Sequence, residues 1–338
     1  MLHTRRRPRW GVRFSRQELA LVAVTAVWGT TFLIVHLAVQ HGGPLLFVGL
    51  RFLAAGAISA VIFRRTLTGL TRRELGTGAA IGVTIFAGYA LQTVGLQTIP
   101  SSTSAFLTAL YVPLVPLLQW AAFRRAPKPA AWGGVALAFT GLLLLADPDS
   151  AGLTLSTGEV LTLISTVAIA AEIVLIGLFA GTVDLGRVTV VQLLVGGGLS
   201  VAMMPVVGEA VPSFSWLWLA AAIGLGAASC LIQITMNWAQ QSVSPTKATV
   251  IYAGEPVWGG IIGRLAGDQL PGLAIVGAAL IVAGVLVSEL KPRARPRQGR
   301  ADVEQDSLSR RNGADTAECR RDSRATGGYA AACQNRST

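Results

Sequence analysis

The stretch SPTKATVIYAGEPVWGGIIGR, Ser244 to Arg264, sets a carboxylic acid and a proline in the middle of what otherwise reads as a membrane-buried helix. With the helix starting near Pro245, Glu255 lies ten residues in. At 1.5 Å per residue that is about 15 Å, half the hydrocarbon thickness. An ionised carboxylate at that depth costs at least about 2.5–3.5 kcal/mol, so it needs a reason to be there. Pro256 has no N–H and clashes with the carbonyl four residues back, which frees the C=O of Tyr252. Freed backbone at membrane depth is tolerated where it lines a cavity. Tyr252 and Glu255, three apart, share a helix face, so a phenol, a carboxyl and a carbonyl are expected to converge. Two readings stay open for Glu255: a kink element held by a neighbouring helix, or an acid that binds a proton or a substrate.

The rest of the chain supports a membrane setting. Hydrophobic residues make up 52% of the sequence and charged residues 13%, against roughly 25% charged in a soluble domain. The formal net charge of +11 could suggest nucleic acid, but its distribution excludes that reading. Most Lys and Arg lie in the two tails (Arg5, Arg6, Arg7, Arg9, Arg13 and Arg16 in the first) and in a few short loops, with no folded basic domain carrying interleaved aromatics. Of the three cysteines, Cys230 lies in an apolar segment, and Cys319 and Cys333 fall in the polar tail without metal-ligand spacing.

Runs long enough to cross a bilayer predict ten spans, at 18–38, 44–63, 74–97, 101–123, 129–146, 157–180, 187–207, 214–240, 245–264 and 270–289. Residues 1–17 form a basic N-terminal tail, and 290–338 are expected to be a disordered tail. The loops Arg64–Arg73 and Arg124–Lys128 are strongly basic, whereas HGGP, IPSS and DPDSAG carry no Lys or Arg. Both termini cytoplasmic is the orientation that puts the basic loops inside.

Sliding the chain against itself by 143 residues aligns spans 3–5 with spans 8–10 without a gap. Gln97 meets Gln240, Ser101 meets Ser244, Pro113 meets Pro256, Gly134 meets Gly277 and Gly141 meets Gly284. Matched Pro and Gly carry more weight than matched Leu or Ala, which any two apolar stretches share. Five spans per copy is an odd number, so the second copy enters the membrane inverted. The expected fold is therefore all-α and polytopic, ten transmembrane helices in two inverted five-helix repeats over 18–146 and 157–289. Inverted repeats are a construction of secondary transporters, with the substrate site near mid-membrane between the copies.

The polar residues at membrane depth are the candidates for that site. Glu172 lies about fifteen residues into the sixth span, and the 143-residue shift sets it opposite Gly29, beside Trp28. Gln233, Asn237 and Gln240 form a polar stripe on the eighth span, and Tyr89 and Gln92 share a face of the third. Arg51 is the basic residue deep in the second span, expected to pair with Glu172 or Glu255, with attraction of an anionic substrate as the other reading. Gln240 is expected to make an interhelical amide bond, Lys247 to anchor at the cytoplasmic surface, and His36 and His41 to be surface residues. Pro113 and Pro256 are the expected helix kinks, and only the second is preceded by an acid in its copy: the mate of Glu255 is Val112.

A family resemblance adds to this. Gln233, Ala239-Gln240, Ser244-Pro245, Ala248, Glu255-Pro256-Val257 and the Gly277…Gly284 helix resemble the EamA-type repeat of the drug/metabolite transporter superfamily. Trp28-Gly29 and Gln92…Pro113…Gly141 carry the likeness in the first half, so that it spans residues 18 to about 290. The resemblance implies a ten-helix carrier of small polar metabolites, often an exporter. It also brings a departure: where the family often closes its fourth and ninth spans with Gly-Glu, this chain has Arg124-Arg125 and Gly267-Asp268.

Together these readings predict a secondary transporter in the inner (plasma) membrane. It would export a small polar metabolite, amino acid or drug by alternating access, with Glu255 or Glu172 as the proton-coupling or substrate-binding acid. Trp28, Arg51, Gln92, Gln233, Asn237 and Tyr252 would complete the site. A non-transporting membrane scaffold or small-molecule receptor is the alternative. An enzyme is not expected, since no Walker sequence, GxSxG elbow or HExxH is present. No cofactor or metal is implied, and substrate identity and oligomeric state are not encoded in any motif.

Overall fold

The computed structural model describes residues 15–124, 155–268 and 272–288, with isolated positions between 132 and 144. The described residues are all-helical. In chain order the helices are α1 (Arg16–Val39), α2 (Pro44–Ile62), α3 (Arg72–Gly95), α4 (Ser101–Thr108), α5 (Tyr111–Phe123), α6 (Thr157–Phe179), α7 (Leu185–Val207), α8 (Trp216–Ala239), α9 (Pro245–Tyr252), α10 (Glu255–Leu265) and α11 (Gly272–Ser288). Seven stretches are long and apolar enough to cross a membrane, the pair α4–α5 counting as one. Nine of the ten expected spans begin and end within two residues of an observed helix or helix pair. The fifth, 129–146, lies largely outside the described residues, as do most of the N-terminal tail and 290–338.

Two spans differ within their bounds, and the ninth, expected as one helix over 245–264, is observed as two. α9 stops at Tyr252, the chain turns through Ala253 and Gly254, and α10 restarts at Glu255. The physical cause is that foreseen for a kink, carried further. Pro256 cannot donate to Tyr252, so it takes the second position of a new helix, where its missing N–H costs nothing. The fourth span breaks in the same manner: α4 ends at Thr108, α5 restarts at Tyr111, and Pro113 is the third residue of the new helix. Both breaks run through a tighter three-residue turn, Leu110 N–H to Leu107 C=O and Gly254 N–H to Ile251 C=O, each at 3.1 Å.

Local chemistry starts the helices. Ser15 with Glu18, Thr71 with Glu74, and Ser156 with Glu159 form reciprocal capping boxes at α1, α3 and α6. Ser215, Ser244 and Asp184 cap α8, α9 and α7 with their side chains.

In the bundle α7 packs on α2 and α3, α8 on α1 and α2, and α6 on α3 and α5, while α10 is held between α1 and α4. Lipid tails are as apolar as leucine, so such packing relies on close approach rather than hydrophobic drive. At the α2–α7 crossing, a β-carbon added to Gly197 would stand 2.7 Å from the Leu53 nitrogen and 3.0 Å from the Gly49 carbonyl. The outward surface carries large apolar side chains, among them Leu19, Val61, Ile164, Leu217 and Leu231, as a bilayer-facing surface should.

Polar contacts tie the ends of helices far apart in sequence. Glu18 pairs with Lys247, joining the start of α1 to the start of α9. Glu74 pairs with Arg187 at 3.1 Å and accepts from the Asp184 N–H, joining α3 to the start of α7. Glu209, after α7, accepts from the Leu45 and Leu46 N–H groups at 2.9 and 2.8 Å, capping α2. Asp268, after α10, accepts from Ser101 Oγ, Ser102 N–H and Ser102 Oγ, capping α4. Lys247 keeps its exposed position while making an ion pair. His36 is half-buried rather than on the surface, its Nδ1 lying 2.9 Å from the Leu96 carbonyl.

Candidate substrate site

Two helix breaks in the bundle interior bring two N-termini together. Tyr111 and Glu255 are the first residues of α5 and α10, and the Tyr111 hydroxyl donates to Glu255 Oε2 at 2.9 Å. Glu255 is 1% exposed and Tyr111 fully buried. A carboxylate in the first turn of a helix is favoured by the partial positive charge of the unsatisfied N–H groups there. The break therefore gives Glu255 an electrostatic setting that an unbroken helix lacks.

Sequence reasoning paired Glu255 with Tyr252 across one helix face. The break undoes that geometry. The Tyr252 ring instead meets Trp28 edge-on, centroids 5.7 Å apart, and its hydroxyl, beside the Gln240 amide, makes no hydrogen bond among the described residues. The Gln240 amide is also buried without a partner among the described residues, where an interhelical bond was expected of it.

Tyr89 completes the aromatic group. It packs edge-on against Phe52 at 4.8 Å and contacts Trp28, and its phenol stands within the electrostatic reach of Glu172, Glu255 and Arg51. Three of the four tyrosines in the chain, Tyr89, Tyr111 and Tyr252, thus surround the buried acids.

Glu172 belongs to a chain of amides. Gln233 Nε2 donates to Glu172 Oε1 at 2.8 Å, and Gln192 Nε2 donates to Gln233 Oε1 at 2.9 Å, linking α6, α8 and α7. The outer ends of the chain, Glu172 Oε2 and Gln192 Oε1, are buried with no partner among the described residues. Asn237, one turn further along α8, donates to Thr189 Oγ1 at 2.9 Å. On the other side Gln92 donates to Thr108 Oγ1 at 2.9 Å, clamping α3 to the last residue before the first break.

Arg51 does not pair with either acid. Its Nε donates to Ser229 Oγ at 2.7 Å, and its guanidinium carbon stands 5.3 Å and 5.2 Å from the Phe52 and Tyr89 ring centroids. The acids have found neutral donors, Tyr111 and Gln233, and the cation has found aromatic faces.

The expected set is thus brought into one region as two linked groups: Trp28, Tyr252 and Glu255 about the second break, and Glu172 of α6 with Gln233 and Asn237 of α8. Gln92 closes on the first break, and Arg51 lies across Tyr89. Sequence reasoning missed Tyr111, Thr108, Thr189, Gln192 and Ser229. Tyr111 had a signal, since it precedes Val112, the repeat mate of Glu255. The others are ordinary residues whose partners become visible only in the packed bundle. Among the described residues no cluster of three or more His, Cys, Asp or Glu could hold a metal ion.

A polytopic helical bundle with broken helices and buried acids is the architecture of a membrane transporter. The EamA-like transporter family model matches the chain twice, over residues 16–146 and 156–290, and the chain belongs to that family. It is 26% identical over 285 residues to a protein named as an uncharacterized transporter of Archaeoglobus fulgidus, covering 83% of this chain and 88% of that one. It is 29% identical over 288 residues to the uncharacterized inner membrane transporter YedA of Escherichia coli K12, covering 80% and 90%. A solved crystal structure superposes with a TM-score of 0.63 at 20% identity, over 84% of this chain and 99% of its own, which is a likeness of fold. The family and these relatives are transporters, not enzymes.

Proposed function

We propose that the chain is a secondary carrier of ten spans in two inverted five-helix repeats, 18–146 and 157–289, exporting a small polar metabolite, amino acid or drug by alternating access. It would sit in the inner (plasma) membrane with both termini cytoplasmic. The observation that carries this reading is the meeting of two broken helices at the Tyr111–Glu255 bond. Half-helix ends near the midplane are where carriers bind substrate and coupling ions. Glu255, Tyr252, Trp28 and Gln92 around the breaks, with Glu172, Gln233, Asn237 and Arg51 beside them, are the proposed contacts. Pro113 and Pro256 start the half-helices that would move.

Two further observations support the inversion. The family model matches twice in tandem. Exchanging the halves also maps the packing onto itself: α3 on α7 becomes α8 on α2, and α6 on α3 becomes α1 on α8.

The end-to-end contacts fit the same topology. In the proposed orientation Glu18–Lys247 and Glu74–Arg187 lie at the cytoplasmic face, each a first-half carboxylate on a second-half helix start. Glu209 on α2 and Asp268 on α4 lie at the opposite face, each a second-half carboxylate on a first-half helix start. Opening one face requires only that face's contacts to part. The sequence carries no Walker motif, and an ion or substrate gradient would drive net movement.

The test is flux. Purified chain in proteoliposomes should move at least one metabolite from a panel of amino acids, organic acids and cationic dyes, faster than empty vesicles and with saturation. No movement of any panel member under imposed proton, sodium and substrate gradients would favour the scaffold or receptor reading.

A further inference from the structure

Arg51 carries a charge that no described carboxylate answers. The residue is 2% exposed, in the interior of the bundle rather than at its lipid face. A guanidinium stays protonated even when buried, so the charge cannot be lost by titration. The two ion pairs among the described residues involve Arg187 and Lys247, and neither involves Arg51. Ser229 accepts from Nε, and no described residue accepts from Nη1 or Nη2. Phe52 and Tyr89 lie against the guanidinium, which leaves its donor edge without an acceptor.

The two membrane-depth acids could have supplied the counter-charge, yet each is bonded to a neutral donor elsewhere. A buried cation without a counter-ion is strongly unfavourable, and the Nη donors form a planar fork suited to two oxygens of one anion. We infer that Arg51 is the receptor for a negatively charged group, a carboxylate or phosphate, on a small soluble ligand. The missing partner of the guanidinium is the ligand itself. This names the charge class of the substrate within the carrier reading, and anion binding can be measured without transport.

The test uses the purified full chain in detergent, with its thermal unfolding midpoint followed against acetate, benzoate and inorganic phosphate, and chloride at matched ionic strength as control. At least one of the three should raise the wild-type midpoint by several degrees over chloride, with saturation. Arg51→Met should abolish that rise while melting no lower than wild type, because it removes an unpaired charge. Arg51→Lys, which keeps the charge but loses the fork, should weaken the apparent Kd at least ten-fold. No rise over chloride in wild type, or an undiminished rise in both variants, would overturn the proposal. Binding that depends on Arg51 in a protein that moves nothing in proteoliposomes would sink the carrier reading and leave the anion site standing.

Discussion

The Tyr111 hydroxyl and the Glu255 carboxyl, 144 positions apart in sequence, close a hydrogen bond of 2.9 Å between the first residues of two half-helices. Each residue begins a helix that starts inside the bundle, and each start follows a break ahead of a proline. The bond joins the two halves of the chain at the place where both are locally unwound.

Glu255→Gln keeps an oxygen that Tyr111 can donate to but cannot carry a proton. We expect it to fold with a melting temperature near wild type and to lose the pH dependence of flux. Tyr111→Phe leaves a buried carboxyl without its donor and should cost about 1–3 kcal/mol. A double-mutant cycle on thermal stability should find the two substitutions coupled. Retained pH dependence in Glu255→Gln would remove this acid from a coupling role.

Gln233 stands between Glu172 and Gln192, accepting from one and donating to the other. Gln233→Leu strands both neighbours and should destabilise by about 1–3 kcal/mol, more than Glu172→Gln, which leaves an acceptor for the Gln233 amide. Equal losses for the two variants in thermal unfolding would count against a connected chain.

Gly29 is where α1 meets α10. A β-carbon there would lie 2.5 Å from Trp258 Cβ and 2.9 Å from the Gly259 nitrogen. Because one of these atoms is backbone, the helices must separate. Gly29→Val should cost about 1–3 kcal/mol by overpacking and displace Glu255 from Tyr111. Unfolding midpoint and flux should fall together; a variant with wild-type values for both would contradict the tight crossing.

The contacts at the two faces should act in opposite senses. With the three native cysteines replaced, Ala109→Cys reports on the first break, where Ala109 is 1% exposed. Glu209→Ala, which uncaps α2 at about 1 kcal/mol, should speed labelling of position 109 by an impermeant maleimide from outside. Glu74→Ala should speed it from the cytoplasmic side. Acceleration from the same side in both variants would refute the assignment of these contacts to opposite faces.

Orientation has its own measurement. Thr68→Cys, in the exposed basic loop after α2, should label only from the cytoplasm. Ala210→Cys, in the exposed segment between α7 and α8, should label only from outside. The reverse pattern would invert the molecule without changing its fold.

Much of the fold was legible because helix formation in a membrane is a local matter. Lipid offers no partners for backbone N–H and C=O, so a run of about 20 apolar residues has few alternatives to a helix. The starts of α1, α3 and α6 are written as S/T-x-x-E, in Ser15–Glu18, Thr71–Glu74 and Ser156–Glu159. Pro113 and Pro256 marked the two interrupted spans, though as kinks rather than as full breaks. An isolated proline tells of one missing hydrogen bond. Whether the chain then bends or restarts depends on what holds the residues at the break, and here Gln92, Tyr111 and Trp28 hold the side chains of Thr108, Glu255 and Tyr252 from other helices.

The chain by itself determined which segments are helices, which acids and amides lie within apolar helices, and the family to which it belongs. The tertiary structure decided the partners: Tyr111 rather than Tyr252 for Glu255, Gln233 for Glu172, and the rings of Phe52 and Tyr89 rather than a carboxylate for Arg51. The reason is range. Capping, apolar length and proline chemistry act within a few residues, whereas a side chain at the middle of a span can reach any of several neighbours. Which one it meets is set by how closely the helices cross, and that is fixed by packing at positions such as Gly29 and Gly197, far from the polar groups themselves.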